Sequence, residues 1–282
     1  MRYCFLRFPG GKIKAVTLSY DDGVLADIKL ANTIDKYGLK CTFNLNCYFD
    51  RPGKMTADQV REHILAKGHE IAVHGEQHIA PGVSHSSLVI RDIARCRETL
   101  EDEFGILVRG MAYPDSGITK MHGSNHYEEI RNYVRSLGIV YSRTLGGDND
   151  KFLLPEDFIA WVPTAHHKNQ NLMNYVERFV NIKEENLYSA RRHPYLFYLW
   201  GHSYEFDNDN NWDLLEKFCE AIGGKDDTWY ATNMEIYEYT TAFNSLVYSA
   251  NGKKIYNPSR IDVFINVDGC GYVVKSGETI EV

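Results

Sequence analysis

The sequence lacks three features that would each place it in a broad class of protein. No stretch approaches eighteen consecutive apolar residues, so no membrane-spanning helix is predicted. Basic residues are not in excess, since 31 Lys and Arg against 38 Asp and Glu leave a formal charge of -7. That balance argues against binding nucleic acid through phosphate neutralisation. The 6 cysteines form no CxxC pair and no dense framework, so we expect reduced thiols.

The amino-terminal segment also lacks the pattern of a secretory signal peptide. Its apolar run is interrupted by Arg7 and Pro9, and no small-residue cleavage site follows. With 44% apolar and 24% charged residues among 282, the composition is that of an ordinary globular protein. We therefore expect a folded, cytoplasmic protein with one large domain or two small ones.

Short apolar runs alternate with amphipathic helical stretches through most of the chain. The strand-like runs are residues 15–20, 41–46, 69–74, 108–113, 139–143, 158–163, 196–201 and 228–232. This alternation predicts a (β/α) barrel or a doubly wound sheet, and both folds gather functional residues at the carboxyl ends of strands. After residue 250, alternating apolar residues flank an Asp-Gly turn, which predicts a small antiparallel hairpin. We predict a barrel domain at 1–250 and a β appendage at 251–282.

Two adjacent carboxylates, Asp21 and Asp22, end the first of these runs in the sequence SYDDG. Their mutual repulsion is costly unless a cation offsets it. Gly23 permits the tight turn that would direct both carboxylates at one point. An acidic turn or a helix N-cap explains the same residues without a ligand.

Two histidines four residues apart, His74 and His78, follow the run that ends at residue 73 in the sequence HGEQH. Such a pair can bind one metal ion and leave room for a third ligand and water. The spacing alone has little specificity, because His122 and His126 repeat it in a polar stretch that follows no strand. Structural or surface histidines remain an alternative for the first pair.

Two further strand ends carry polar or cyclic residues. His202 ends the run LFYLWGH, where a catalytic group is expected, although a lone histidine is often structural. The segment AYPDSG at 112–117 also ends a strand, and an ordinary turn explains its Pro, Asp and Gly.

The conjunction of these segments is more specific than any one of them. SYDDG, HGEQH, AYPDSG and LWGH occur in that order, each at the end of a predicted strand, and the chain thereby resembles the NodB-homology polysaccharide deacetylases (carbohydrate esterase family four) over about residues 12–235. The resemblance implies a distorted (β/α) barrel of about seven strands, here with a small C-terminal β appendage. It also implies metal-dependent removal of acetyl groups from N- or O-acetylated saccharides, that is, a carbohydrate deacetylase acting on linear amides.

The resemblance also implies roles for individual residues. Asp21 corresponds to the general base and His202 to the general acid. The metal ligands would be Asp22, His74 and His78, and two imidazoles with one carboxylate suit zinc, while cobalt, nickel and iron fit as well. The backbone N–H of Asp115 takes the place of the oxyanion donor.

Apolar and aromatic side chains are expected to hold the substrate. Leu199 resembles the residue that lines the family's acetyl pocket, and we predict that Trp200 and Trp161 complete its wall. Tyr113 is a further predicted substrate contact. The expected partner is an N-acetylated oligo- or polysaccharide, and nothing in the sequence indicates an oligomeric state.

The chain departs from the family pattern at several positions. Gly75 stands where Ser or Thr usually follows the first histidine, so one hydroxyl is lost. The AYPDSG loop lacks the usual arginine that tunes the base, and we predict that Arg143, at another strand end, replaces it. Asp157 and Trp161 lie near the segment that usually orients the acid histidine but do not match it clearly. The adjacent pair at 166 and 167 is read as loop histidines in preference to a substrate site.

Two other functions remain open from the sequence. The first is hydrolysis of small cyclic amides or ureides on the same scaffold. The second is carbohydrate binding by a catalytically inactive relative, against which the complete set of Asp and His residues argues.

Overall fold

The computed structural model describes residues 3–123, 125–145 and 147–282. Its strands are β1 Cys4–Arg7, β2 Lys14–Asp21, β3 Cys41–Leu45, β4 Glu70–Val73, β5 Gly110–Ala112, β6 Tyr141–Arg143, β7 Ala165–His166, β8 Tyr195–Gly201, β9 Thr228–Tyr230, β10 Val247–Tyr248, β11 Lys254–Tyr256, β12 Val263–Val267, β13 Cys270–Val274 and β14 Thr279–Glu281. Its α-helices are α1 Ala26–Asp35, α2 Ala57–His63, α3 Ser86–Phe104, α4 Tyr127–Ser136, α5 Leu172–Val180, α6 Tyr204–Asn208, α7 Trp212–Ile222 and α8 Asn233–Asn244.

The central sheet is parallel and curled, with the strand order β6-β5-β4-β3-β2-β8-β7, while β9 also pairs with β2. The sheet is open between its two edge strands, β6 and β7. The chain after β6 narrows this gap, because Trp161 forms a single bridge to Arg143 of β6 and β7 pairs with β8. The expected distorted barrel of about seven strands is therefore confirmed. All of its carboxyl ends meet at one edge, which is where the predicted functional residues are expected to lie.

Strand β2 shows why the sequence pattern is an almost continuous apolar run. All 8 of its residues are buried, since helices cover one face and the barrel interior covers the other. Val16, Leu18 and Tyr20 belong to the main core cluster, which includes α1 and α7 side chains. Ala15, on the opposite face, belongs to a second cluster inside the barrel with Trp161 and residues of α8.

The predicted strand at 158–163 is wrong. Residues Phe158–Ala160 form a 3-10 turn, which Asp157 caps by accepting the N–H of Ile159 at 2.9 Å. The short strand of this region lies further on, at β7. A capping aspartate and a following proline, Pro163, which has no N–H, break the ladder that the apolar letters suggested.

The carboxyl-terminal region forms two small antiparallel sheets, β1-β12-β13 and β10-β11-β14. The predicted hairpin is confirmed, because β12 and β13 pair across the turn at Asp268 and Gly269. A third apolar cluster that includes Ile255 and Val263 packs between these elements. The pairing of β1 with β12 joins the two ends of the chain. The division between residues 250 and 251 stays a prediction.

Two further findings concern the chain as a whole. All 6 cysteines are free. Within the described ranges, no helix combines the length and apolar character needed to cross a bilayer.

Candidate metal and acid–base site

Three side chains converge above the carboxyl edge of the sheet. Asp22 follows the last residue of β2, His74 follows β4, and His78 lies four residues further along the same turn. One ligand atom from each lies within 4.8 Å of the others. The two histidine Nε2 atoms are 3.2 Å apart, and Asp22 Oδ1 is 3.8 Å from His74 Nε2. The structure therefore brings together the three predicted metal ligands.

The donor set fits a divalent cation. Nδ1 of His74 lies 3.0 Å from the carbonyl oxygen of Ala112, which is an acceptor only, so Nδ1 carries the hydrogen and Nε2 keeps a free lone pair. Two nitrogens bound to one tetrahedral ion at ~2.0–2.1 Å would lie about 3.3 Å apart. The observed separation of 3.2 Å agrees with that value. Burial lowers the pKa of His74, which favours the neutral ligand form.

Two of the proposed metal ligands, and a residue of the loop after β5, have strained backbone conformations. Among the described residues, 6 that are not glycine have positive φ, and they include Asp22 at 83°, His78 at 56° and Asp115 at 48°. Such conformations cost about 1–3 kcal/mol each and persist where the surrounding structure imposes them. Lys54 helps to impose the turn at Asp22, because its Nζ donates to the Asp22 carbonyl at 2.5 Å.

Asp21 lies behind the three ligands and is 2% exposed. Its Oδ1 accepts a hydrogen bond from Asn44 Nδ2 at 2.8 Å, and its Oδ2 accepts one from Arg143 Nη2. Burial by itself raises the pKa of Asp21, but Arg143, His74, His202 and Asn44 together lower it. The carboxylate is therefore held ionised, as a base must be.

Arg143, which was predicted to replace the base-tuning arginine, contacts Asp21, and its tuning role stays a prediction. It ends β6, is 1% exposed, and its guanidinium also lies 4.2 Å from the ring of Trp200. Trp200 is the one member of the predicted pocket wall that reaches the site.

His202 faces the same carboxylate from the end of β8. Its Nε2 is 3.9 Å from Asp21 Oδ2, and its Nδ1 is 3.4 Å from Glu205 Oε2. Burial lowers the pKa of His202, but the hydrogen bond to Glu205 and the charges of Asp21 and Asp22 outweigh it and raise the pKa. The charged imidazole required of a general acid is therefore favoured.

Glu205 was missed by sequence reasoning and takes the place sought for Asp157. Its Oε2 is also 3.1 Å from Nε2 of His166. Because Lys168 N–H donates to Nδ1 of His166, the neutral ring carries its hydrogen on Nε2 and donates it to Glu205. This is a hydrogen-bond cluster centred on a carboxylate. Its sequence signal was available, since Glu205 lies three residues after His202 on the following helix.

Asp157 is not at the site. Its carboxylate accepts hydrogen bonds from Tyr127 at 2.7 Å and Ile159 and pairs with Arg131 at 2.7 Å. These contacts fasten α4 to the loop after β6, so its role is structural.

Three predicted substrate residues are not brought to the site. Leu199 points to the face of β8 opposite Trp200 and lies in the main core. Trp161 is fully buried inside the barrel, with its ring 4.8 Å from Tyr198. Tyr113 is 2% exposed and also lies in the main core. Each of these side chains fills part of a core. An apolar residue in a core and an apolar residue in an open pocket look the same in the sequence.

The loop after β5 supplies backbone rather than side chains. Ala112 accepts from His74, and the exposed Asp115 follows three residues later. The main-chain N–H of Asp115 has no hydrogen-bond partner within the described part of the chain. It therefore remains available for the predicted oxyanion role, which stays a prediction.

Gly75 has a structural explanation. Its φ is 77°, and a Cβ at this position would overlap Oδ2 of Asp92. The other oxygen of Asp92 accepts the N–H of Gln77, which holds the turn that carries His78. The carboxylate of α3 thus occupies the space that a serine side chain would need.

Residues 9–142 match the family model described as polysaccharide deacetylase. A sequence comparison with curated proteins gives no match. In fold, the chain is similar to a proposed polysaccharide deacetylase from Mycobacterium smegmatis, with a TM-score of 0.58 and 18% identity over 86% of this chain and 96% of that one.

Two other solved structures are similar at comparable scores. A proposed polysaccharide deacetylase from Pseudomonas aeruginosa PAO1 has a TM-score of 0.57 and 13% identity over 82% of this chain and 91% of that one. The allantoinase Puue has a TM-score of 0.56 and 13% identity over the same shares, 82% and 91%. At these identities, the likeness concerns the fold.

Proposed function

We propose that this chain removes acetyl groups from an N- or O-acetylated saccharide with the help of one divalent ion. The premise is that the chain belongs to the polysaccharide deacetylase family, whose model matches residues 9–142. Membership indicates a hydrolase of the deacetylase and amide-hydrolase kind. The observation that carries the finer proposal is the convergence of Asp22, His74 and His78 beside the ionised Asp21.

Asp22, His74 and His78 would hold the ion, for which zinc is our proposal. When bound there, such an ion supplies Lewis-acid activation of the acetyl carbonyl and of water. All remaining steps belong to side chains and backbone of this chain.

Asp21 acts as the general base in this proposal. It is free to take the proton of the attacking water because Asp22, and not Asp21, is the ligand. Arg143 and Asn44 hold its carboxylate in place and keep it ionised.

His202 donates a proton from Nε2 to the departing nitrogen, which is otherwise a very poor leaving group. Glu205 accepts the hydrogen on Nδ1 and so fixes the ring orientation and tautomer. The N–H of Asp115 is the proposed donor to the oxyanion.

The test separates the base from the ligand. Asp22→Asn should lose the ion, and asparagine tolerates the positive φ of that position. Asp21→Asn should keep the ion and lose about 10²–10⁴ in turnover of N-acetylglucosamine oligomers. His126→Ala, in the second His pair, is the matched control and should alter neither. Loss of the ion in Asp21→Asn, or full turnover in Asp22→Asn, would refute the assignment.

Hydrolysis of small cyclic amides or ureides is the second candidate. It is favoured by the fold shared with a protein named as an allantoinase and by the departures from the sugar-deacetylase motifs at Gly75 and the 112–117 loop. Release of acetate from N-acetylglucosamine oligomers, compared with ring opening of allantoin and cyclic imides, distinguishes the two. Turnover of the cyclic compounds alone would overturn the saccharide proposal.

A further inference from the structure

One aromatic side chain beside His202 is exposed although its neighbours in the chain are held firmly. Tyr204 is 37% exposed and begins the short helix α6. Before it, Ser203 donates to the buried Asp27 at 2.6 Å. After it, Glu205 accepts from His202, and Phe206 is fully buried with its ring 4.1 Å from that of His167. The backbone under Tyr204 is therefore fixed, while its ring faces solvent.

The position of this ring relative to the proposed acid is defined. The ring centroid of Tyr204 lies 5.3 Å from that of His202, and the ring centroid of Trp200 lies 6.0 Å from that of His202. His202 is thus flanked by two aromatic side chains at the edge of the site. The part of the substrate that carries the leaving nitrogen must come within hydrogen-bond distance of His202. It will therefore lie against the ring of Trp200 or the ring of Tyr204.

The two flanks differ in what already covers them. The guanidinium of Arg143 lies 4.2 Å from the ring centroid of Trp200, and His166 packs edge-on at 4.4 Å. Tyr204 has no ring partner besides His202 within the described residues. Its face is the open one, and exposed aromatic surface fixed in place is suited to an amphipathic ring with an apolar face.

We propose that Tyr204 is the platform on which the sugar ring bearing the acetylated nitrogen stacks, which makes it a specificity-determining residue for pyranose substrates. The inference rests on the proposed function for its catalytic consequence. The aliphatic C–H face of a pyranose covers an aromatic ring, whereas a small ureide offers no such face. Tyr204 would then discriminate between the two candidate substrate classes.

Kinetics of Tyr204→Ala and Tyr204→Phe on N-acetylglucosamine oligomers and on N-acetylethanolamine, an acetylated amine without a ring, test the role. Tyr204→Ala should raise KM for the oligomer about tenfold with little change in kcat, and should leave turnover of N-acetylethanolamine unaffected. Tyr204→Phe should restore the oligomer KM, because stacking needs the ring and not the hydroxyl. Tyr188→Ala, which alters a tyrosine that is 81% exposed elsewhere, is the matched control. An unchanged oligomer KM in Tyr204→Ala, or equal losses on both substrates, would overturn the proposal.

Binding without turnover separates this inference from the proposed function. Calorimetric titration of N-acetylglucosamine trimer into Asp21→Asn should give a Kd about tenfold lower than titration into Asp21→Asn with Tyr204→Ala. If the wild-type protein binds the trimer through Tyr204 yet releases no acetate, the proposed function fails and the platform stands. If acetate is released and KM is the same with and without Tyr204→Ala, the proposed function stands and the platform fails. Equal trimer affinity in both variants, or no binding to either, overturns the platform.

Discussion

Gly75→Ala should destabilise the turn between His74 and His78, the two proposed histidine ligands. The expected loss of stability has two parts, one from the backbone conformation and one from a steric overlap. The positive φ of 77° costs a residue with a Cβ roughly 1–2 kcal/mol. The new Cβ would overlap Asp92 Oδ2, so the carboxylate must move and release the N–H of Gln77. Loss of a hydrogen bond to a charged group costs about 1.5–3 kcal/mol. Together, the free energy of unfolding should fall by roughly 2.5–5 kcal/mol.

The control is Gly53→Ala on a neighbouring loop. Gly53 has a similar φ of 82°, and a Cβ added there would meet no atom within 4 Å, so only the cost of about 1–2 kcal/mol applies. Urea unfolding of the metal-free proteins measures both changes, and zinc affinity of Gly75→Ala should fall about 10–100-fold because the turn carries His78. Adding Asp92→Ala should recover part of the Gly75→Ala loss. Equal costs for the two glycine variants, or an unchanged zinc affinity, would refute the steric argument. Gly75→Ser should lower stability and zinc affinity in the same way, although the family pattern has serine or threonine at this position.

Three further predictions concern ionisable groups. Arg143→Ala should raise the pKa of Asp21, move the acid limb of the pH–rate profile upward and cost about 3–5 kcal/mol of stability at neutral pH, while Arg143→Lys should retain part of both; an unmoved limb would contradict the pairing. Glu205→Gln should lower the pKa of His202, so the alkaline limb should move to lower pH, and a limb that stays in place would remove Glu205 from its orienting role. Burial raises the pKa of Asp27 from 3.8 to about 7, so the folded state keeps a proton that the unfolded chain releases, and stability should fall as pH rises between these values. Urea midpoints across that range should flatten in Asp27→Asn, and an unchanged slope would show that another group is responsible.

Much of the fold and the grouping of the candidate metal ligands could be predicted because the relevant signals are local. An aspartate pair after a buried run, and a histidine after another, are readable in sequence, and parallel strands bring their carboxyl ends to one edge whatever the details. Arg143 was predicted by the same argument, and the structure places it against Asp21, 122 residues away along the chain. Whether these residues perform the proposed chemistry stays a prediction.

Other positions could not be predicted, since the information is not local. In a strand buried on both faces, Leu199 and Trp200 are equally apolar letters, and no alternation shows which of them faces the site. Trp161 and Tyr113 were assigned to a pocket because of their type, but the packing of the barrel interior and the helix layer buried them. Asp157 lies in the region of the sequence where the residue that orients the acid histidine was expected. In the structure it is Glu205 whose carboxylate lies beside the imidazole of His202.

The sequence by itself therefore determined the alternation of most barrel strands with helices, the strand ends that carry the candidate site and the hairpin near the carboxyl terminus. Periodicity and turn residues act over short segments, so they can be read from the sequence alone. The meeting of parallel strand ends then follows from the fold class that they predict. Only the tertiary structure decided which face of β8 is open, which carboxylate reaches His202 and why position 75 is glycine. Each of those depends on a side chain from a distant segment, such as Asp92 against Gly75, and on the space that packing leaves between them.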